Sequence, residues 1–372
     1  MKYYIIAGEA SGDLHASNLI AELRKKDPKA EFRAWGGDLM KKQGATLVKH
    51  YRHMAFMGFL EVAVNIRTVL GNIAECKKDM LAYKPDAVIL VDYPGFNLRI
   101  AKFAHQQGLK VFYYISPQVW AWKRRRVRKI RRSVDEMLVI LPFEENFYRE
   151  YGVRVSYVGN PLLDELSKSE PNTRQSFARK NNLPEKKEII ALLPGSREQE
   201  VKHMLPIMLQ VVPKFPQYQF VVAKAPSLDG ALYKELIGAN DVSVVDNQTY
   251  ALLQCASAAL VTSGTATLET ALFTVPQVVC YKGSAISYHI AKHLIKVNYI
   301  SLVNLILDKP AVKELIQNDL NVDNVAKELV LLLRDSKRQR RLLEDYEALK
   351  EVLGGAGASA KAAGVILRSI NR

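Results

Sequence analysis

Cysteine is scarce in this chain. Cys76, Cys255 and Cys280 stand far apart among 372 residues. They form no CxxC pair and are odd in number, which argues against a disulfide framework and points to a reducing compartment. Long hydrophobic runs are missing too. None approaches the ~18 apolar residues that a membrane-spanning helix requires, so any membrane contact is expected to be peripheral. The start, MKYYIIAGEASGD, reaches an acidic residue at Glu9, too soon for the apolar core of a secretory signal. Also absent are the GxGxxG fingerprint of dinucleotide binding, HExxH, and a DxD carboxylate pair at a strand end. What remains is the makeup of a folded protein, 48% apolar and 24% charged, which excludes a disordered regulator. The length corresponds to roughly two domains. Lys and Arg outnumber Asp and Glu by 53 to 38, a net charge of +15. Such a balance suits a polyanionic partner: nucleic acid, anionic membrane or phosphorylated substrate.

Short apolar runs alternate with longer amphipathic ones. Strand-like runs cover 3–8, 86–91, 111–116, 136–141 and 155–159, then 188–196, 218–225, 242–246, 258–264 and 275–281. Most are continuous and rich in Val and Ile, as in strands buried on both faces. Helix-like segments between them, such as 14–26, 61–82, 97–107, 198–212 and 265–273, complete a strand–helix–strand rhythm. The pattern predicts an α/β protein: two Rossmann-like, doubly wound domains facing a cleft, followed by C-terminal helices. A polar stretch with two prolines, 163–187, is the expected linker. The expected domains are 1–170 and 171–345, with 346–372 as a helix packing back on the first. In such folds ligands bind at the carboxyl ends of the strands.

Four turns at strand ends carry chemistry. In AGEASGD (7–13), Gly8 and Gly12 allow a tight turn, and Ser11 offers a hydroxyl. Glu9 and Asp13 would repel a pyrophosphate, so the loop suits an acceptor or a catalytic base; Asp13 is also a candidate helix cap. In VDYPGFN (91–97), Asp92 follows an apolar run and is the first candidate for general base. Asn97 is the better cap for the next helix, which frees Asp92. In LLPGSREQE (192–200), Gly195, Ser196 and Arg197 form a phosphate-type turn; Ser196 with Gln199 also reads as a capping box. In TSGTATLET (262–270), Ser263, Gly264 and Thr265 could hold a pyrophosphate, or Ser263 or Thr265 could cap the helix, and Glu269 could accept from ribose. His289 and His293 are spaced as on one helix face without a third ligand, so no metal and no cofactor is expected.

Two surfaces stand out. KRRRVRKIRR (123–132) holds eight basic residues and no acidic one. It follows SPQVWAW, so Trp120 and Trp122 lie beside Arg124, Arg125, Arg126 and Arg128. Indoles next to a basic helix suit a membrane interface, while a nucleic-acid surface is the competing reading. A second stretch, 51–66, holds Met54, Phe56, Met57, Phe59 and Leu60. It suits core packing or, beside the first-half loops, acyl chains.

Together these residues resemble the lipid-A-disaccharide synthase family. The matching features run in order along nearly the whole chain: AGEASGD, MGFLEV (57–62), VDYPGFN, YISPQVWAWKRRRVRKI (114–130), LPFE (141–144), LLPGSR, SGTATLE and YISLVNL (299–305). Two positions depart from the family pattern. A second acidic residue is common where Gly95 stands, and proline where Val303 stands. The resemblance implies a glycosyltransferase of the B type, inverting and metal-independent, on the cytoplasmic face of the inner membrane. It joins UDP-2,3-diacylglucosamine to 2,3-diacylglucosamine 1-phosphate (lipid X), forming a β-1,6-linked disaccharide 1-phosphate and UDP. It places UDP in the second half, with Asn304 orienting substrate, and the acceptor in the first. Expected partners are these two lipids and an anionic membrane surface, with no nucleic acid and a homodimer left open. A soluble UDP-sugar transferase or epimerase, or a basic nucleic-acid-binding protein, are the alternatives.

Overall fold

The computed structural model describes residues 1–54, 66–122, 126–283 and 298–370, without the side chains of Ile66, Ala121 and Trp122. The chain divides into two compact units, Met1–Ser167 with Leu353–Arg372, and Lys168–Val352.

Among the described residues, unit 1 is built on seven strands: β1 (Lys2–Ala7), β2 (Glu31–Gly36), β3 (Thr46–His50), β4 (Ala87–Val91), β5 (Lys110–Tyr114), β6 (Glu136–Val139) and β7 (Val155–Tyr157). Their order is β3-β2-β1-β4-β5-β6-β7, and every pairing is parallel. The central strands β1, β4 and β5 are apolar beyond the exposed lysines that open β1 and β5, because both faces are covered. Tyr4, Ile6, Val88, Leu90, Val111 and Tyr113 fill one face. Tyr3, Ile5, Ile89, Val91, Phe112 and Tyr114 fill the other. That alternation is the period of two of a pleated strand. The helix Ala10–Lys26 supplies Leu19, Ile20 and Leu23 to the second face, and the helix Ala358–Ile370 adds Ala362, Ala363 and Ile366. Strand order reverses between β1 and β4, which makes that pair the switch point of the sheet.

Unit 2 repeats the plan with β8 (Glu188–Leu193), β9 (Tyr218–Lys224), β10 (Val242–Asp246), β11 (Ala256–Thr262), β12 (Gln277–Tyr281) and β13 (Lys313–Ile316). The order is β10-β9-β8-β11-β12-β13, again all parallel. Its switch point lies between β8 and β11. Three strands fall outside the sequence expectation: β2, β3 and β13. β3 and β13 are sheet edges that stay half-open, so they lack the continuous apolar signal. The stretch 163–187 contains the crossing from unit 1 to unit 2, the end of the short helix Pro161–Leu166 and all of the helix Arg174–Lys180. Among the described residues no helix is long and apolar enough to cross a membrane.

Candidate active site

The topology brings the four sequence-predicted turns together in pairs. The Gly8 and Asp92 turns both leave the switch point of unit 1, where Ala7 is the register partner of Val91. The backbone there is strained: Asp92 and Tyr93 have φ of +46° and +50°, rare for residues with side chains. Side chains hold it in place. Tyr113 Oη donates to the Asp92 carbonyl at 2.6 Å, and Asn97 Nδ2 donates to the same oxygen at 2.7 Å. Asn97 therefore does not cap its helix, contrary to expectation. The left-handed Tyr93 starts the helix Pro94–Gln106 earlier, and Asn97 is buried behind the turn. Burial, followed by the charge of Asp92, drives the Tyr113 phenol well above its usual range. Asp92 itself is half-buried, and Gly95 is exposed with open space around it.

The Tyr93 ring lies on Gly8, where a Cβ would stand 2.2 Å from it. Tyr93 Oη donates to the Met54 carbonyl at 2.8 Å. Burial, then the nearby Glu9, raises the Tyr93 phenol. Glu9 is half-buried at the start of the helix Ala10–Lys26, and Ser11 is exposed on its first turn. Asp13 has another task. It is 3% exposed and accepts from the backbone of Gly37 (2.8 Å), Leu39 (3.1 Å) and Met40 (3.1 Å). It caps the short helix Asp38–Lys42 rather than its own.

The chain beyond β5 departs from the expected membrane face. Trp120 is buried, not displayed. Its ring meets Phe143 edge-on at 4.9 Å, and its Nε1 donates to Glu144 Oε1 at 3.1 Å. A buried indole needs such an acceptor. Glu144 is the functional-site candidate that sequence reasoning missed, although LPFE was noted. Arg126 is half-buried, and its charge acts on Tyr113. Arg128 is exposed on the helix Val127–Ser133. Met57, Phe59, Arg124, Arg125, His289 and His293, with the Trp122 side chain, lie outside the described residues.

In unit 2 the Gly195 and Ser263 turns leave β8 and β11 at the second switch point. Gly195 has φ +119°, and a Cβ would come 2.6 Å from Glu200 Oε2, so glycine is required there. The helix Glu198–Leu209 has Arg197 at its cap position, and its boxing residue is Glu200, not Gln199. Glu200 accepts from the Ser196 and Arg197 backbone at 3.0 and 3.3 Å. A phosphate seated on those groups would displace it. The Arg197 side chain is exposed. The helix Thr265–Leu272 starts after Gly264 with no side-chain cap, the condition under which a helix start can hold an anion. Ser263 is not its cap; it donates to the Ile300 carbonyl at 2.9 Å. Burial raises the Glu269 carboxyl while the Tyr250 hydroxyl, 3.3 Å away, opposes it. Asn304 is buried inside the protein. It exchanges two 2.9 Å bonds with the Val312 backbone and donates to Glu314, and Glu314 holds the Ile300 and Ser301 backbone. Asn304 thus shapes the 299–301 segment through Glu314. A cavity of about 690 Å³ runs along β13, and the residues lining it include Gln277, Tyr299, Asn304, Lys313 and Ile316.

Comparison with known proteins identifies the family. The family model of lipid-A-disaccharide synthetase matches residues 3–363. The lipid-A-disaccharide synthase of Syntrophus aciditrophicus is 43% identical over 375 residues, covering 99% of this chain and 97% of the relative. That of Nitrosococcus oceani is 40% identical over 362 residues, covering 95% and 92%. Among solved structures, the UDP-GlcNAc 2-epimerase of Neisseria meningitidis bound to UDP-GlcNAc superposes with a TM-score of 0.68 at 14% identity, covering 99% of this chain and all of that one. The kitacinnamycin glycotransferase superposes with a TM-score of 0.66 at 14% identity, covering 99% of each. The last two establish the fold alone, the glycosyltransferase B architecture. With a family model spanning nearly the whole sequence and relatives near 40% identity, the chain belongs to the lipid-A-disaccharide synthase family.

Proposed function

We propose that this chain carries out its family's reaction. It transfers 2,3-diacylglucosamine from UDP to the 6-hydroxyl of 2,3-diacylglucosamine 1-phosphate, giving a β-1,6-linked disaccharide 1-phosphate and UDP. The full-length family match is the observation that carries this reading. Inversion requires the acceptor oxygen to attack the anomeric carbon from the face opposite UDP, and a base must take its proton. Asp92 is that base. Its backbone is clamped by Tyr113 and Asn97, which holds the turn that carries the carboxylate, in line with pre-organised catalysis. Glu9 stands in the neighbouring turn, and Arg126 suits the acceptor 1-phosphate. In unit 2, Arg197 and the uncapped start of the helix Thr265–Leu272 stabilise the diphosphate leaving group, with Glu269 toward the ribose.

The residue that must fail first is Asp92. Asp92→Asn should lower turnover by about 10²–10⁴-fold, the usual worth of a general base, without a change in circular dichroism. Release of UDP and the mass of the lipid product report the reaction. Wild-type turnover in this variant would remove Asp92 from the mechanism. Equal activity on non-acylated UDP-N-acetylglucosamine would favour a soluble-substrate enzyme instead.

A further inference from the structure

Glu144 is a carboxylate that the chemistry above does not use, yet it is 1% exposed and joins three segments of unit 1. Its Oε2 accepts from the Leu141 backbone at 3.1 Å, which closes the start of the helix Pro142–Glu150. Capping requires no more than that. Its Oε1 turns the other way, to Ser116 Oγ at 2.5 Å and Trp120 Nε1 at 3.1 Å. The same helix also grips this loop through Phe143, edge-on to Trp120, and through Tyr148 Oη, 3.4 Å from the Pro117 carbonyl.

The loop so held leaves β5, the neighbour of β4. The Asp92 backbone donates to the Tyr114 carbonyl at 3.0 Å, so the loop starts beside the Asp92 turn. Its first residue, Ile115, has φ +63°. A β-branched residue is a genuine outlier there, and such strain persists only where the surroundings over-determine it. Further along, the chain reaches Arg126, whose charge acts on Tyr113, the residue that clamps Asp92.

We infer that Glu144 is a positioning residue for the acceptor: by holding Ser116 and Trp120 it fixes the 115–120 loop against the Asp92 turn and so sets where the phosphorylated sugar sits. This rests on reading unit 1 as the acceptor half. The groups facing Glu144 are Ser116 and Trp120 on the loop, Tyr148 on its own helix and Tyr157 on β7. Burial raises its carboxyl to about 7, against the pull of its hydrogen bonds. Protonation takes away an acceptor site shared by Ser116 and Trp120, so acceptor binding weakens as pH falls through about 7.

Steady-state kinetics of the full chain test this, with KM measured separately for each substrate on both sides of neutral pH. Glu144→Gln should raise the acceptor KM roughly tenfold, the worth of one buried hydrogen bond, abolish its pH course and leave the donor KM unchanged. Trp120→Phe keeps the ring and removes one donor; it should act in the same direction and carries the test if Glu144→Gln does not fold. A lower Tm with wild-type acceptor KM and pH course in both variants would reduce Glu144 to a helix cap and overturn the inference. Asp92→Asn is the control: full activity there would sink the acceptor-half reading itself.

Discussion

His15 illustrates how much a single buried group can decide. It lies on the second turn of the helix Ala10–Lys26, with Nδ1 buried and unpartnered. Burial lowers its pKa to about 4, although Glu165 and Asp164 pull the other way. The folded protein therefore binds fewer protons than the unfolded chain between the ordinary histidine value of 6.5 and about 4. Stability is lost as pH falls through that window, by on the order of 3 kcal/mol at its lower end. His15→Gln should remove this part of the acid-induced fall in Tm, and thermal melts at neutral and acid pH will show it. An unchanged fall would mean that His15 titrates normally. None of this was legible in the sequence, where His15 has no motif. The same holds for Asp13, Trp120 and Asn304. Their residue types were noted, but their partners lie eight or more positions away in the chain: residues 37–40 for Asp13, Glu144 for Trp120, and Val312 with Glu314 for Asn304. A side chain's task depends on which partner the fold brings to it.

At the scale of elements, central strands were easy to read because burial on both faces leaves continuous apolar runs. The inner strand β2, the edge strands β3 and β13 and the helix caps were not: Arg33 interrupts β2, the two edges stay half-open, and each cap depends on one neighbour. The turn sequences at 8–13, 91–97, 192–200 and 262–270 were visible individually; only the strand order pairs them. One cap has a wider consequence. The helix Ala358–Ile370 is preceded by Gly357 at φ +111°, and its first N–H groups are capped from far away. Asp164 accepts from Gly357, Ala358 and Ser359 at 2.5, 3.2 and 3.1 Å. Asp164 stands just before the chain leaves unit 1, and Gly357 just after it returns. One carboxylate thus ties together the unit 1 ends of both crossings. Asp164→Ala strands three donors and should cost about 1–3 kcal/mol. Cleavage within the GGAG segment by a non-specific protease should quicken, and Tm should fall. Cleavage at the wild-type rate would show that apolar packing of Ala362, Ala363 and Ile366 holds the helix without the cap.

For the whole molecule the open question is where the excess positive charge acts. The helix Val127–Ser133 buries Val127 and Ile130 and exposes Arg128, Lys129, Arg131 and Arg132. A cavity of about 670 Å³ lies against Arg128, Arg131, Arg132 and Arg149. The run thus changes role along its length: Arg126 acts electrostatically on the Tyr113 clamp, whereas the later residues form an outward cationic stripe. Such a stripe suits anionic lipid, at about 1 kcal/mol per residue near the surface. This fits an enzyme whose two substrates are lipids. Replacing Lys129, Arg131 and Arg132 together by Gln should weaken binding to phosphatidylglycerol vesicles about a hundredfold, the product of three such contacts. Raising the salt should weaken the wild type in the same direction, because exposed charges are screened within a Debye length of about 8–10 Å. Turnover of detergent-dispersed substrates should stay at the wild-type level, since Asp92, Arg126 and the loop held by Glu144 are untouched. Vesicle affinity that ignores both the substitutions and the salt would move membrane contact away from this helix. Tight, salt-dependent binding to RNA without binding to vesicles would instead assign the stripe to nucleic acid.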